Sequence, residues 1–558
     1  MLAYRTPGVY FEPPASRPVL GLPRTDVAGF VGVARRGPLH RPVRLESRNE
    51  LLARFGGPTP QGYLACAVEG FFANGGQTCW VVRAADPEKA LAASVDLADD
   101  AGATALRLTA SSPGVWGRKL TVTVLRTGRG RFILALRLGD GPQELWRDLS
   151  LEPGDPRQAE TILNDPGTGS RLVAASLPPG GSGAPPRAQR ARLAGGADGL
   201  ATLRIGHLTG QGSPPDRPWG LAALETVDEV AIVALPDAMP VPRVQPRTKR
   251  RPPRCDVLSG GCNDAEEPLT EEPEEPLEFP PVPDELAISE MQRALIAHCE
   301  KLRDRVAVLD VPPLDASGAS RNPREALAWR RDFNSSYAAL YYPWLRVPDP
   351  LQLTGLLRDV PPSGYIAGVW ARSDRRVGVH KPPANEALEE VEDVLFRVGD
   401  VDHGDLNDDG VNVIRPFAGR GIRVAGARTL RSDDPLWRYV NVRRLLLLIA
   451  EAIDEGTQWT VFEPHDLRLR REIDRVVRSL LDSLWRRGML DGATAEEAYS
   501  VLCDESTNPP AEVEAGRLVC RIGVQPPWPA EFVVVRLGKT VGGVELIEDP
   551  LDREASHA

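Results

Sequence analysis

Five short apolar runs frame what this chain can become: Val27–Ala34, Cys79–Arg83, Val230–Leu235, Val306–Asp310 and Ala338–Tyr342. Each is strand-length and bounded by turn or polar residues, so each reads as a β-strand. Helical spacing alternates with them at 45–56, Tyr63–Phe72, Gly220–Thr226, Ile288–Leu302 and 324–332. Asn74-Gly75-Gly76 is a strong stop for the second of these helices. Strand and helix in alternation imply an α/β layer.

Two stretches break the alternation. Residues 86–200 look mostly β, with strands at Leu120–Leu125 and Phe132–Leu138 and a loop-like part at 174–192. Residues 238–284 carry a basic run, Arg243–Arg254, then an acidic one, Glu266–Glu275, with prolines throughout. So polar a segment buries too little apolar surface to offset its ordering entropy, and a flexible, solvent-facing insertion is expected. Cys255 and Cys262 lie inside it. A disulfide clip, half a metal site and two unrelated thiols all fit, and no nearby His or second Cys pair completes a zinc set.

After the insertion the α/β pattern resumes. Trp437–Ile453 reads as a long apolar helix, and 467–487 as the clearest helix in the chain. There Ile473, Val476, Val477, Leu480, Leu481 and Leu484 recur at three and four, opposite Arg468, Arg470, Arg471, Arg475 and Arg478. The ends differ from the middle: residues 1–25 are Pro-rich and read as an extended arm, and Phe532–Val535 is a late β-rich run.

The length of 558 residues allows three or four domains at about 100–200 residues each. A hydrophobic fraction of 42% with 26% charged residues is that of packed globular cores. The net charge of −10 argues against a nucleic-acid binder, which needs a basic face. Seven cysteines, an odd number scattered over a long chain, do not make a disulfide framework. No apolar run reaches the ~18 residues of a membrane span, and the N-terminus has no signal core. Folding in a reducing cytoplasm is the expectation.

The motifs that resemble chemistry fall short of it. Gly538-Lys539-Thr540 looks like the end of a phosphate loop, but Val533 stands where the first Gly is needed. Asp405-Leu406-Asn407-Asp408-Asp409-Gly410 starts like a calcium loop, but Pro416 stands where the bidentate Glu belongs, so a plain turn is expected. The histidines show no HExxH spacing, and Ser111-Ser112 and Ser335-Ser336 lack a nucleophile elbow. His465-Asp466 reads as a helix entry with Asp as the cap. No catalytic, cofactor or metal residue is assigned.

The blocks already met, taken in order, resemble the tail sheath family of contractile phages and related injection systems. Thr6-Pro7-Gly8-Val9-Tyr10 is similar to the family's opening, followed by Phe30-Val31-Gly32 with Arg36-Gly37-Pro38. Phe71-Phe72-Ala73-Asn74-Gly75-Gly76, Trp80-Val81-Val82-Arg83, Ser112–Gly117 and Leu193–Gly199 continue the series. The second half resembles it more densely: Pro361-Pro362-Ser363-Gly364, Ala367-Gly368, Gly378–Asn385, Asn412–Arg415, Gly426–Leu430, Phe462-Glu463-Pro464, Leu484–Gly488 and Pro529–Phe532. Residues 238–284 fall outside the pattern.

The resemblance implies a structural subunit that polymerises helically around an inner tube and contracts to drive that tube through a target envelope. Its implied partners are further copies of itself, the tube protein, and baseplate and terminal cap proteins; no cofactor, nucleic acid or membrane insertion is implied. Assembly in the cytoplasm and release within a phage tail or phage-like particle follow from the same likeness. The expected fold class is α/β (mixed α+β). The layout is a 1–25 arm, an α/β core over 26–85 and 201–237, a β-rich outward-facing domain over 86–200, and the 238–284 insertion. A 285–430 sheath domain and a 431–558 C-terminal domain ending in a strand arm complete it. Pro7, Gly8, Val9, Tyr10, Phe532, Val533, Val534 and Val535 are the expected inter-subunit arm residues, adding strands to a neighbour. Arg468, Arg471, Arg475 and Arg478 are the expected tube contact, with a solvated, internally salt-bridged face as the alternative. A baseplate-associated component and an enzyme with a β-rich insertion are the competing readings.

Overall fold

The strand expected over 27–34 is Ala28–Gly32, and those expected at Cys79–Arg83, Val306–Asp310 and Ala338–Tyr342 keep those bounds. The computed structural model describes residues 21–128, 130–139, 141–178, 183–243, 277–314, 318–351, 355–529 and 531. It adds the backbone of 255–256, 261–262, 535–540 and 543–548. The chain forms two compact units: one of Leu22–Arg376 and Pro383–Glu451, the other taking the described residues of Val377–Pro382 and Ala452–Ala558.

The first unit is built on one sheet. Its strands are β1 Ala28–Gly32, β2 Val43–Leu45, β3 Cys79–Arg83, β4 Ile232–Ala234, β5 Val306–Asp310, β6 Ala338–Tyr342, β7 Val411–Phe417 and β8 Gly421–Val424. They lie in the order β2-β3-β1-β4-β5-β6-β7-β8. The central strands from β3 to β7 run parallel, and only the edge pairs β2–β3 and β7–β8 are antiparallel. Parallel strands need crossovers that cover both sheet faces. That is why β1, β5 and β6 are buried at every position and, apart from Asp310, carry no polar alternation.

Residues 91–197 supply two four-stranded antiparallel sheets whose inner faces share one apolar core, including Leu97, Leu106, Leu108, Val122, Phe132, Leu134 and Leu136. Here burial alternates along the strand, most clearly over Leu120–Leu125 and Arg131–Leu136, as two packed sheets require. The loop expected over 174–192 contains two strands instead, Val173–Ser176 and Gln189–Arg192. Both are sheet edges, and the latter offers only Ala191 to the core, so it lacks the apolar signal of a central strand. The turn expected at Asp405–Gly410 is also different. Asp400–Asp408 is a helix, and Gly410, at φ +82°, ends it in the left-handed conformation.

Four helices of this unit matter below: α1 Arg48–Phe55, α2 Leu64–Ala73, α3 Glu285–Leu302 and α4 Ser363–Arg376. A fifth, α5 Val440–Thr457, replaces the one expected from Trp437. Trp437 stays in the preceding turn, where its carbonyl accepts from the Thr429 hydroxyl at 2.7 Å and its ring carries the Arg443 guanidinium at 3.7 Å.

Two buried carboxyls tie helix starts to strand ends. Asp237, after β4, accepts the Val33 amide at 2.6 Å and the Tyr63 amide at the start of α2. Gly32 and Gly62 leave it room: a Cβ on Gly32 would lie 2.2 Å from the Asp237 carboxylate. Asp310, at the end of β5, accepts the Ser363 amide at the start of α4 at 2.8 Å. Burial pushes Asp237 up to about 6 and Asp310 up to about 7, with the amide hydrogen bonds opposing it.

The sign of the pH effect follows. A folded pKa above the ordinary carboxylate value means the native state holds the proton more tightly than the unfolded chain. The stability contributed is full below about pH 4 and is lost as pH rises through about 7. Asp310→Asn keeps an acceptor for the Ser363 amide but cannot titrate. Between pH 5 and 7, wild-type unfolding free energy should fall relative to Asp310→Asn by about 2 kcal/mol in total, the slope easing as pH nears 7. Parallel urea-unfolding curves across that range would contradict this.

In the second unit α6 Leu467–Arg486 packs against a hairpin of β9 Tyr499–Leu502 and β10 Arg521–Val524. A further antiparallel hairpin pairs β11 Val535–Thr540 with β12 Gly543–Glu548. Asp466 caps α6 by accepting the Leu469 amide at 2.8 Å, as the sequence indicated. Leu469, Ile473, Val477, Leu480, Leu481 and Leu484 are buried on one face, each contributing about 1.5–3 kcal/mol by leaving water.

Candidate assembly surfaces

The polar face of α6 divides into two chemically different halves. Arg475 reaches Glu472 at 3.2 Å and Arg478 reaches Asp474 at 2.8 Å, both within the helix. Arg478 also donates to the Val501 carbonyl of β9. Those two arginines are neutralised at home. Arg468 and Arg471 are exposed and, among the described residues, form no ion pair. The spacing of basic residues could not show this division, because it depends on where the acids Glu472 and Asp474 fall on the same helix.

Just before α6 lies a feature the sequence reading named only as a motif. Trp459, Val461 and Phe462 follow α5, and Phe462 is wholly exposed at φ +70°. A large apolar side chain in left-handed backbone is uncommon, and one presented entirely to water is an interaction candidate. The available signal was an apolar pair that helical spacing did not absorb, set between Thr460 and the Pro464 stop.

Of the expected arm residues, Pro7, Gly8, Val9, Tyr10, Phe532, Val533 and Val534 lie outside the described residues. Val535 opens β11, whose register partner across the hairpin is Glu548. Among the described residues this hairpin is a two-stranded sheet, so neither outer edge has a strand partner. Such a ribbon is marginal alone and offers two rows of backbone donors and acceptors. The phosphate-loop likeness at Gly538-Lys539-Thr540 falls within β11, a strand rather than a helix start that could hold a phosphate. Cys255 and Cys262 are direct register partners in a two-strand pair.

An open recess in the first unit is lined by Arg24, Asp26, Arg44, Glu46, Gln77, Thr78 and Arg375. Its acids are already matched, Asp26 with Arg24 at 2.9 Å and Glu46 with Arg44. Among the described residues no three His, Cys, Asp or Glu side chains gather as a metal set, and no helix is long and apolar enough to cross a membrane.

Residues 280–430 match the family model for the phage tail sheath protein central domain, and residues 432–538 that for the phage tail sheath C-terminal domain. The tail sheath protein of Salmonella phage ViI is 25% identical over 261 residues, 43% of this chain and 40% of that protein. A putative prophage major tail sheath protein of Pseudomonas aeruginosa UCBPP-PA14 is 25% identical over 236 residues, covering 42% and 57%. The chain thus aligns with less than two thirds of the length of these curated relatives. The fold is similar throughout to the sheath of an extracellular contractile injection system, the PVC sheath complex in its contracted state. That likeness has a TM-score of 0.55 at 19% identity and covers 97% of this chain and 99% of the other.

These matches are all to proteins of the contractile-tail class. Residues 280–430 and 432–538 carry the central and C-terminal domains of phage tail sheath proteins.

Proposed function

We propose that this protein is the repeating subunit of a contractile sheath that polymerises helically around an inner tube, joins a baseplate and a terminal cap, and contracts to drive the tube forward. The family match carries the reading. Its work is mechanical rather than catalytic: the buried acids Asp237, Asp310 and Asp374 each serve a backbone amide or an arginine. Assembly takes place in the cytoplasm, and the finished particle is the released form.

The unpaired edges of the β11–β12 hairpin fit strand addition from a neighbour's N-terminal arm, residues 1–25, which keeps subunits joined while their bodies move. A head-to-tail contact of this kind propagates rather than closing on itself. Arg468 and Arg471, without an ion-pair partner among the described residues, supply the charge that meets carboxylates on the tube, with the exposed Phe462 as an apolar anchor. Arg475 and Arg478 serve the helix itself.

Charge reversal tests this directly. Arg468→Glu with Arg471→Glu should weaken loading onto the tube by about 1–2 kcal/mol per subunit, more at low salt than at high. Arg475→Ala should change loading little. Co-sedimentation with the tube protein across a salt series reads both. Equal loading of the double reversal and the wild type would remove α6 as the tube contact.

A further inference from the structure

Cys503 and Cys520 flank the β9–β10 ladder. The last ladder pair is Leu502 with Arg521, so the two cysteines face each other one step beyond it. The Gln525 amide donates to the Ala498 carbonyl at 2.8 Å, which makes 498 and 525 a hydrogen-bonded pair of the same register. Alternation along an antiparallel ladder then puts 503 opposite 520 at a non-hydrogen-bonded position, where Cα atoms approach to about 4.5 Å and side chains come closest. That separation lies within the range a disulfide spans. The two thiols are free. Cys503 is buried and Cys520 partly exposed.

We propose that Cys503 and Cys520 are a redox pair that closes into a cross-strand disulfide when the protein meets a low-molecular-weight disulfide oxidant such as oxidised glutathione.

The surroundings favour the step. The neighbouring Cys520 thiol holds Cys503 below its ordinary pKa, against burial, and Cys503 together with burial pushes Cys520 up. Arg470 from α6 acts on Cys503 in the same direction, and its Nε and Nη1 are buried without a hydrogen-bond partner. Asp474 and Asp504 oppose it at Cys503; at Cys520 Asp474 raises and Arg478 lowers. The exchange runs in two displacements. A thiolate of the pair attacks one sulfur of the oxidant, forming a mixed disulfide and releasing one small thiolate. The second cysteine, deprotonated, attacks the protein sulfur of that mixed disulfide and expels the other small thiolate. Two protein thiols are oxidised, one small disulfide is reduced, and the two protons end on the released thiols. The new bond ties both ends of 504–519, a segment already held at its base by Asn508, which donates to the Val519 carbonyl at 2.8 Å and accepts its amide at 2.7 Å. Closing that loop restricts the unfolded chain, so the oxidised protein resists unfolding.

The full-length reduced protein is treated with oxidised glutathione, remaining thiols are capped with N-ethylmaleimide, and the digest is mapped by mass spectrometry. The expected result is a Cys503–Cys520 cross-linked peptide, reversed by dithiothreitol, with the melting transition of the C-terminal unit raised by about 5–10 °C. Cys520→Ser should abolish both, while Cys255→Ser with Cys262→Ser should retain both. Capped or singly glutathionylated Cys503 and Cys520 after oxidation, or cross-links confined to Cys255 and Cys262, would overturn the proposal. If Cys520→Ser does not fold, the wild-type peptide map decides alone.

Discussion

Gly364→Ala should destabilise the folded chain by about 2–3 kcal/mol, although helix propensity alone would have it gain up to about 1 kcal/mol. Gly364 lies in the first turn of α4, which packs on α2 with backbone nearly touching backbone. A Cβ there would sit 2.4 Å from both the Cα and the carbonyl oxygen of Ala67. One turn on, a Cβ on Gly368 would meet the Phe71 carbonyl oxygen at 2.5 Å, and on the facing helix one on Gly70 would meet the Tyr365 ring at 2.4 Å. The obstructing atoms at Gly364 are main chain, so no rotamer change relieves the clash; the helices must separate, and β1, β4 and β5 beneath them lose close packing. Gly355→Ala, which meets nothing within 4 Å, is the control and should be nearly neutral. Urea unfolding of both variants gives the comparison, and a Gly364→Ala protein as stable as wild type would show that α2 and α4 do not pack as described.

Asp374→Ala should cost about 3–5 kcal/mol, because it strands a buried guanidinium. Arg444 on α5 donates to the two oxygens of Asp374 on α4 at 3.0 and 2.6 Å, and both side chains are only 3% exposed. The Thr25 hydroxyl donates to the same carboxylate at 2.7 Å, Arg444 also donates to the Thr25 carbonyl at 2.7 Å, and its guanidinium lies 4.8 Å from the centre of the Trp370 ring. The pair thus pins the chain entering β1 to two helices distant in sequence. Its net worth is a separate quantity from the cost of breaking it: Asp374→Ala with Arg444→Met removes both charges and should recover much of the loss. A single variant no worse than the double would contradict a coupled buried pair.

The residues involved explain what the sequence could disclose. Strands buried on both faces announce themselves as apolar runs, so β1, β3, β5 and β6 were legible, and α6 was legible from its single apolar stripe. Helix α4 was not: Pro361-Pro362 and the glycines 364 and 368 mask its helical spacing, yet the glycines are there because α2 lies against them, a partner nearly 300 residues away. The edge strand Gln189–Arg192 was missed because strand pairing, not burial, makes it a strand. Asn407-Asp408-Asp409-Gly410 carries turn chemistry that serves equally to end a helix. In the candidate site, the row of arginines was visible, but only the positions of Glu472 and Asp474 separate the two free charges from the two spent ones. Phe462 was visible as a motif without a role, since exposure is a property of the folded loop.

The measurement that bears most directly on a polymerising sheath is electron microscopy of the purified full-length chain with and without its inner-tube partner. Hollow, striated tubes with a regular axial repeat, sleeved around the inner tube when it is supplied, are the predicted result. Monodisperse single subunits persisting in the presence of the tube protein would contradict it.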